Sequence, residues 1–219
     1  MSEPPGRRPK RRYHHGDLRT ALLEAAETLI AEHGPSGFTL ADASRLAGVS
    51  TAAPYRHFPH KDALLDAVRA RGFERLTDRM HTAIAETGGR GSIEAMVAKG
   101  RAYVGFAIAE PAVLRLMFGS DRKALPRELS EAVGEACFGE VLIEAEAFSS
   151  AHGLTERPTL DLALQMWGIA HGVAALQIDG DFALVAPETD PLELVASITR
   201  AWAEGLIARG AGAGDDLAT

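Results

Sequence analysis

Cysteine is nearly absent: the 219-residue chain has one, Cys137. No disulfide can form within the chain, which suits the reducing cytoplasm, and the thiol reads either as a buried structural group or as a redox sensor. Long apolar runs are also missing. The longest stretch without an acidic or basic residue spans 17 residues, Leu162 to Ile178, and it contains Gln165, His171 and two glycines. A membrane span takes about 20 apolar residues. The segment therefore reads as a helix buried on all sides, and no membrane partner is expected. The N-terminal residues carry positive charge with no apolar core behind it, so they do not form a secretory signal. The chain has no G-x-S-x-G elbow, no phosphate-cradling glycine loop ending in Lys-Ser/Thr and no H-E-x-x-H pair. No catalytic residue, cofactor or metal is assigned, and the chain reads as a non-enzyme. His14 and His15 read as a polar approach to a helix. Glu144 and Glu146 read as a solvated helix face.

What the chain does have is an uneven charge. The formal net charge is −7. Residues 1–61 nevertheless hold nine Lys/Arg against six Asp/Glu, and five of the nine are Arg7, Arg8, Lys10, Arg11 and Arg12. Such asymmetry suggests one nucleic-acid-facing part on an otherwise acidic protein, whose bulk repels DNA and so aims the basic end at it.

The periodicity is helical throughout. Leu18, Leu22, Ala25, Ala26 and Leu29 share one face of a first helix that starts near Asp17, and Gly34-Pro35 ends it. Thr39 caps a second, short helix over 40–46. Ala47-Gly48-Val49-Ser50 makes a tight turn, and Ser50 caps a third helix running to about Phe58, which Pro59 stops. A long fourth helix starts near Lys61. Further helices are expected over 92–109, 112–118, 127–151, 159–179 and 191–209, with breaks at Gly88-Gly89, Pro111, Pro126, Gly153, Gly180 and Pro187. No run of alternating strands and no internal repeat is present. The fold class is all-α, and the organisation expected is a disordered basic arm (1–12), a DNA-binding domain (13–61), a connecting helix (62–83), a larger helical domain (84–210) and a disordered tail (211–219).

Two short helices joined by a turn containing glycine form a helix-turn-helix, whose second helix presents its first residues to the major groove. Thr39 and Ser50 stand at helix starts, where hydroxyl and backbone N–H groups meet phosphates. Thr51, Ala52 and Ala53 occupy the first turn of the reading helix; small side chains permit close approach, and alanine methyls suit thymine methyls. Arg56 reaches a base edge or a phosphate, and Lys61 stands where its ammonium reaches a backbone phosphate. Phe58 is core. Arg11 and Arg12 of the arm either enter the minor groove, the reading favoured here, or belong to a solubilising tail.

The stretch TLADASRLAGVSTAAPYRHFPHKDALLDAV, preceded by YHHGDLRTALLEAAETLIAEHG, resembles the DNA-binding domain of the TetR family over about residues 13–68. Gly48, Ser50, Tyr55, His57, Phe58 and Lys61 fall at the family's spacing. The resemblance implies that Tyr55 and His57 contact phosphates; the alternative for both is helix packing. Pro54 departs from the family's pattern, which more often has leucine there. It removes a backbone donor and disfavours α geometry at Ala53, so the reading helix is expected to start tighter or later.

The W-G-x-A-H-G run at 167–172 resembles a sensor-domain subtype of the same family. The resemblance implies a homodimer formed through the last two long helices, with Gly172, Ala175, Ile198, Trp202 and Gly205 at the interface; the alternative for this stripe is an intramolecular core. It also implies a small-molecule effector. Phe106, Met117, Phe118, Phe138, Leu142, Met166 and Trp167 are the bulky apolar candidates to touch it, with His171 as a polar anchor or a satisfied core histidine. The function so implied is a cytoplasmic repressor that binds a pseudo-palindromic double-stranded operator and is released by an apolar or aromatic ligand. The alternatives are a DNA-binding repressor without a ligand, constitutive or controlled by a partner, and a helical interaction protein that never touches DNA.

Overall fold

A computed structural model describes residues 15–119 and 127–215, with side chains described over 18–119 and 127–210. The basic arm with Arg11 and Arg12, the pair's first histidine His14, the break at Pro126 and the last four residues of the tail lie outside the described residues. Among these, the chain forms nine α-helices and one 3₁₀ turn, and no strand. It divides into two compact units, residues 1–65 and 66–219.

The first unit begins with α1 (His15–His33), whose apolar face buries Leu22, Ala25, Ala26 and Ile30. Gly34 ends the helix with φ +72°, a conformation that costs a residue with a Cβ about 1–2 kcal/mol. Helix α2 (Leu40–Leu46) starts at a reciprocal cap. The Thr39 hydroxyl accepts from the Asp42 N–H at 3.2 Å, and the Asp42 carboxylate accepts from the Thr39 N–H at 2.9 Å. Two otherwise orphaned donors are satisfied together. The turn that follows depends on Gly48 at φ +70°, with the Val49 N–H closing back on the Ser44 carbonyl at 3.0 Å.

The third helix is not the α-helix that the spacing suggests. Residues 51–53 form a turn, and only Pro54–Arg56 are helical, as one 3₁₀ turn whose preceding residue is Ala53, not Ser50. The cause is Pro54. It has no N–H to return to the Ser50 carbonyl, so that carbonyl is taken one residue early, by the Ala53 N–H at 3.0 Å. Pro54 and Phe58 are buried, and the Arg19 guanidinium lies 5.6 Å above the Phe58 ring. The turn is thereby held against α1.

Helix α3 (Lys61–Ala85) carries the chain across the division between the units. The second unit continues with α4 (Ile93–Ala109), α5 (Pro111–Phe118), α6 (Ser130–Ala151), α7 (Thr159–Asp179), α8 (Asp181–Val185) and α9 (Pro191–Asp215). Helix α4 is central, packed on α7 and α9, and α6 packs on α7. Gly100 permits the close approach of α4 to α9, since a Cβ there would stand 3.2 Å from Val195 Cγ2. One core gathers Phe73, Leu76, Phe106, Met117 and Val173; a second gathers Met96, Phe148, Leu162 and Leu206.

Buried carboxylates tie the segments that lack helical partners. Asp66, 2% exposed, accepts from the Leu129 N–H at 2.7 Å, the Ser130 N–H at 3.3 Å and the Ser130 hydroxyl at 2.6 Å, and so caps α6 from α3. Glu144 is completely buried and accepts from the Gly91 N–H at 2.8 Å and from Arg90 at 3.4 Å. That corrects the reading of Glu144 as a solvated face; Glu146 is exposed. The 162–178 segment needs a similar correction. It is not buried on all sides, because Leu164 and Leu176 are 45% and 43% exposed and Gly168 and Gly172 are open. Absence of charge shows that a face avoids water, not that the same chain covers it. Helix α8 was not legible beforehand, and α9 runs through Gly210, Gly212 and Gly214 to Asp215 instead of ending near 209.

Candidate nucleic-acid interface and internal cavity

The first unit exposes Ser50, Thr51, Ala52, Tyr55 and Arg56 around the 3₁₀ turn, with Ala53 and His57 half-buried beside them. Tyr55 is 59% exposed, so packing does not account for its ring. A small, polar and aromatic surface next to an arginine has the chemistry of phosphate and base-edge contact. Two candidate contacts have other duties. The Thr39 hydroxyl donates to the Asp42 carboxylate at 2.6 Å, which commits its proton within the cap. Hydrogen bonds from Thr39, with Arg45 nearby, hold the Asp42 carboxyl below its usual range. The Lys61 ammonium donates to the Phe38 carbonyl at 2.7 Å and lies 4.8 Å over the Phe38 ring. One of its three donors thus fastens the segment before α2 to the start of α3. Sequence spacing identified Lys61 as a cation at a helix start but not this tie, because Phe38 is 23 residues away.

The second unit contains a cavity of about 480 Å³, open to solvent on the side of Arg127, Glu131 and Glu135, within the range of small-molecule sites. Met117, Phe118, Phe138 and Trp167 are on its wall, as the sequence suggested. Phe106, Leu142, Met166 and His171 are not. Phe106 is fully buried in the core beneath the Arg79 guanidinium, and Leu142 packs on the second core. Met166 borders a separate gap of about 30 Å³. His171 stands behind the wall: its Nδ1 is 2.8 Å from the Tyr103 hydroxyl, and its ring centroid is 5.1 Å from Phe118 and 5.5 Å from Trp167. It positions wall residues.

Sequence reasoning missed Arg69, Tyr103, Ser130 and Cys137 on the wall. A signal for Arg69 existed. It lies four residues from both Leu65 and Phe73, in the middle of an apolar face of α3. Burial pushes the Tyr103 hydroxyl and the Cys137 thiol up, so both are neutral near pH 7. Close by, burial lowers Lys99 to about 8 against the pull of Glu144. Burial also pushes Glu140 up, but hydrogen bonds from His81 and Arg90 outweigh it and leave that carboxyl low. Among the described residues no group of three His, Cys, Asp or Glu is placed to hold a metal ion.

The open face of α7 continues onto α9. Gly172 is exposed and Ala175 half-buried on α7; Ile198 is 38% exposed on α9, with Gly205 half-buried. Trp202 is half-buried, and its indole N–H donates to Gln165 at 2.8 Å. Val195 and Leu206, from the same stripe, point instead into the unit's own cores.

Known proteins resemble this chain in both of its parts. The family model described as "Bacterial regulatory proteins, tetR family" matches residues 22–68, and "Tetracyclin repressor-like, C-terminal domain" matches residues 96–203. The chain belongs to the TetR family. That family is one of helix-turn-helix transcriptional regulators. The structure is similar to that of a Rhodococcus sp. RHA1 protein described as having unknown function, which is 31% identical and covers 90% of this chain and 100% of its own, with a TM-score of 0.73. The HTH-type transcriptional regulator AlkX of Mycobacterium tuberculosis is 29% identical over 102 residues, 47% of this chain and 48% of that protein. The HTH-type transcriptional repressor KstR2 of Rhodococcus jostii is 40% identical over 55 residues, 25% of this chain and 26% of its own. The chain spans about half the length, or less, of the curated relatives it matches. No described helix is long and apolar enough to cross a membrane.

Proposed function

We propose that this TetR-family regulator is a cytoplasmic repressor that binds a pseudo-palindromic operator as a homodimer and is released by a small apolar or aromatic ligand. The observation that carries the reading is the cavity of about 480 Å³ in the second unit, walled by Phe73, Phe118, Phe138 and Trp167. Repression is the activity in the name of KstR2, a relative that is similar over 55 residues. The open strip of Leu164, Gly168, Gly172, Leu176 and Ile198 supports a dimer. A Cβ at either glycine would meet nothing within 4 Å, so a second helix has room to lie there. Two copies joined through α7 and α9 carry two reading surfaces, and two-fold symmetry on the protein matches a palindrome on the DNA. Ser50, Thr51, Ala52, Ala53, Tyr55, Arg56 and His57 form the reading surface, with Lys61 and the arm on phosphates.

The ligand acts by preferring the dimer conformation of lower operator affinity. A coupling of about 1–3 kcal/mol changes DNA affinity about 5–150-fold, and operator DNA then weakens ligand binding by the same factor. The test is an operator footprint on the DNA flanking the gene, followed by titration of apolar compounds. Release of the operator together with a change in Trp167 fluorescence is the expected result. Compounds that fill the cavity and never alter operator affinity would refute ligand control, and a monomer by light scattering while bound to its operator would refute the dimer.

A further inference from the structure

The cavity has a direction. Helix α3 gives its wall Arg69, Phe73, Leu76 and Met80, and α6 gives it Glu131, Gly134, Phe138 and Val141. Each set is spaced three or four residues apart, which is a lengthwise stripe on one helix face. The two helices run in the same direction, because their contacts advance together: Asp66 meets Ser130, Phe73 meets Gly134, Thr77 meets Cys137 and His81 meets Glu140. The cavity is therefore a slot along both helices. From Arg69 to Met80 it is about 16 Å long at the helical rise. Its polarity changes along that length. Arg69, Ser130 and Glu131 stand at the start, and Met80 and Val141 at the far end. There the polar groups of the described wall are committed to one another or to residues off the wall. The Tyr103 hydroxyl is 2.8 Å from His171 Nδ1 and is also bonded by the Trp167 indole, and the Cys137 thiol is bonded to Thr77; neither His171 nor Thr77 is on the wall. A polar group carried to that end would leave water without a partner among these residues, a cost that a hydrocarbon does not meet. Met80 and Val141 also border the separate gap of about 30 Å³, so they form the partition at which the slot stops.

We propose that the effector is a single-chain amphiphile whose unbranched hydrocarbon tail lies in the slot, with its methyl end at Met80 and Val141 and its polar head at the solvent side near Glu131. The inference rests on the cavity being the effector site. Met80 and Val141 then set the longest tail accepted. Carbon–carbon bonds of about 1.5 Å advance an extended chain by about 1.3 Å per carbon, so a slot of about 16 Å takes a tail of about twelve carbons. The tail decides the fit, and the charge of the head does not enter. Each added methylene leaves water for the faces of Phe73, Leu76 and Phe138 until the partition is reached.

The test titrates alkyldimethylamine N-oxides with tails of eight to sixteen carbons into the full chain by calorimetry, below the concentrations at which they form micelles. Their head carries no net charge, so only the tail varies. Affinity should rise about fourfold per added carbon up to about twelve carbons and then stop rising. Val141→Ala should move that limit to a longer tail, and Val141→Phe to a shorter one. Affinity that keeps rising through sixteen carbons would overturn the slot, as would equal binding of a branched tail of the same carbon number, or no binding at all. In each of these cases a compound of another shape that releases the operator would leave the effector cavity standing. A length limit with no change in operator affinity would keep the tail slot and remove the effector reading. The wild-type series needs no substitution, so it holds even where a Val141 variant does not fold.

Discussion

Replacing Asp66 by Asn removes the charge that caps α6 without changing the side chain's size. Asp66 is 2% exposed and faces three donors: the Leu129 N–H, the Ser130 N–H and the Ser130 hydroxyl. An asparagine offers one accepting oxygen and an NH₂ group. Whichever way it turns, NH₂ confronts at least one backbone N–H, and the side chain cannot satisfy the set. Arg69, 3% exposed, also loses the counter-charge 4.0 Å away. Breaking a buried ion pair from one side costs about 3–5 kcal/mol, and a charge-assisted hydrogen bond carries about 1.5–3 kcal/mol of the same total. The expected destabilisation is thus about 3–5 kcal/mol, a fall in Tm of roughly 6–20 °C for a unit of this size. Both tryptophans, Trp167 and Trp202, lie in the second unit, so urea unfolding followed by their emission reads that unit alone. Ser130→Ala removes one donor and leaves the two backbone N–H groups capped, and it should cost only about 1 kcal/mol. In the double variant the two effects should not add, because both act on the same cap. A loss below about 1 kcal/mol for Asp66→Asn would refute the argument that this carboxylate holds the start of α6.

Gly48→Ala should lower the stability of the first unit by about 1–2 kcal/mol, because φ is +70° there and open space cannot relieve it; retention of wild-type stability in urea would show that the turn relaxes. Lys61→Ala should make the salt dependence of DNA affinity shallower by about one, and should also cost the first unit about 1 kcal/mol through the lost bond to Phe38. A destabilised unit with an unchanged salt slope would assign Lys61 to the Phe38 tie alone. Lys99 supplies a pH test. Its folded value of about 8 lies below the usual 10.5, so the unfolded chain holds the proton more tightly between those two values. The penalty of about 3 kcal/mol is fully present below pH 8 and is relieved as pH rises toward 10.5. Compared with Lys99→Met, the wild type should therefore gain stability across that window; a flat difference would show that Lys99 titrates normally.

Local signals carried far in this chain. The apolar spacing of α1, the Thr39 cap, Gly48 and the breaks at Gly34 and Pro111 act within a few residues, so the all-helical order and the helix-turn-helix were legible without coordinates. The effect of Pro54 was legible in kind, since a missing N–H is a property of one residue; its outcome as a 3₁₀ turn was not, because the Phe58 burial that helps hold that turn is a tertiary contact. In the second unit, helix identity was readable but wall membership was not. Phe106 and Phe118 are equally apolar, yet one is sealed in the core and the other borders the cavity. The partners that decide this come from helices far apart in sequence. The same holds for charges: Glu144 looks solvated until Gly91 and Arg90, more than 50 residues away, are seen to meet it. Hydrophobic periodicity specifies which face leaves water, a local property of helix pitch. What fills the space beyond that face, whether a neighbouring helix, a ligand or a second copy, depends on long-range packing that only the tertiary structure decides.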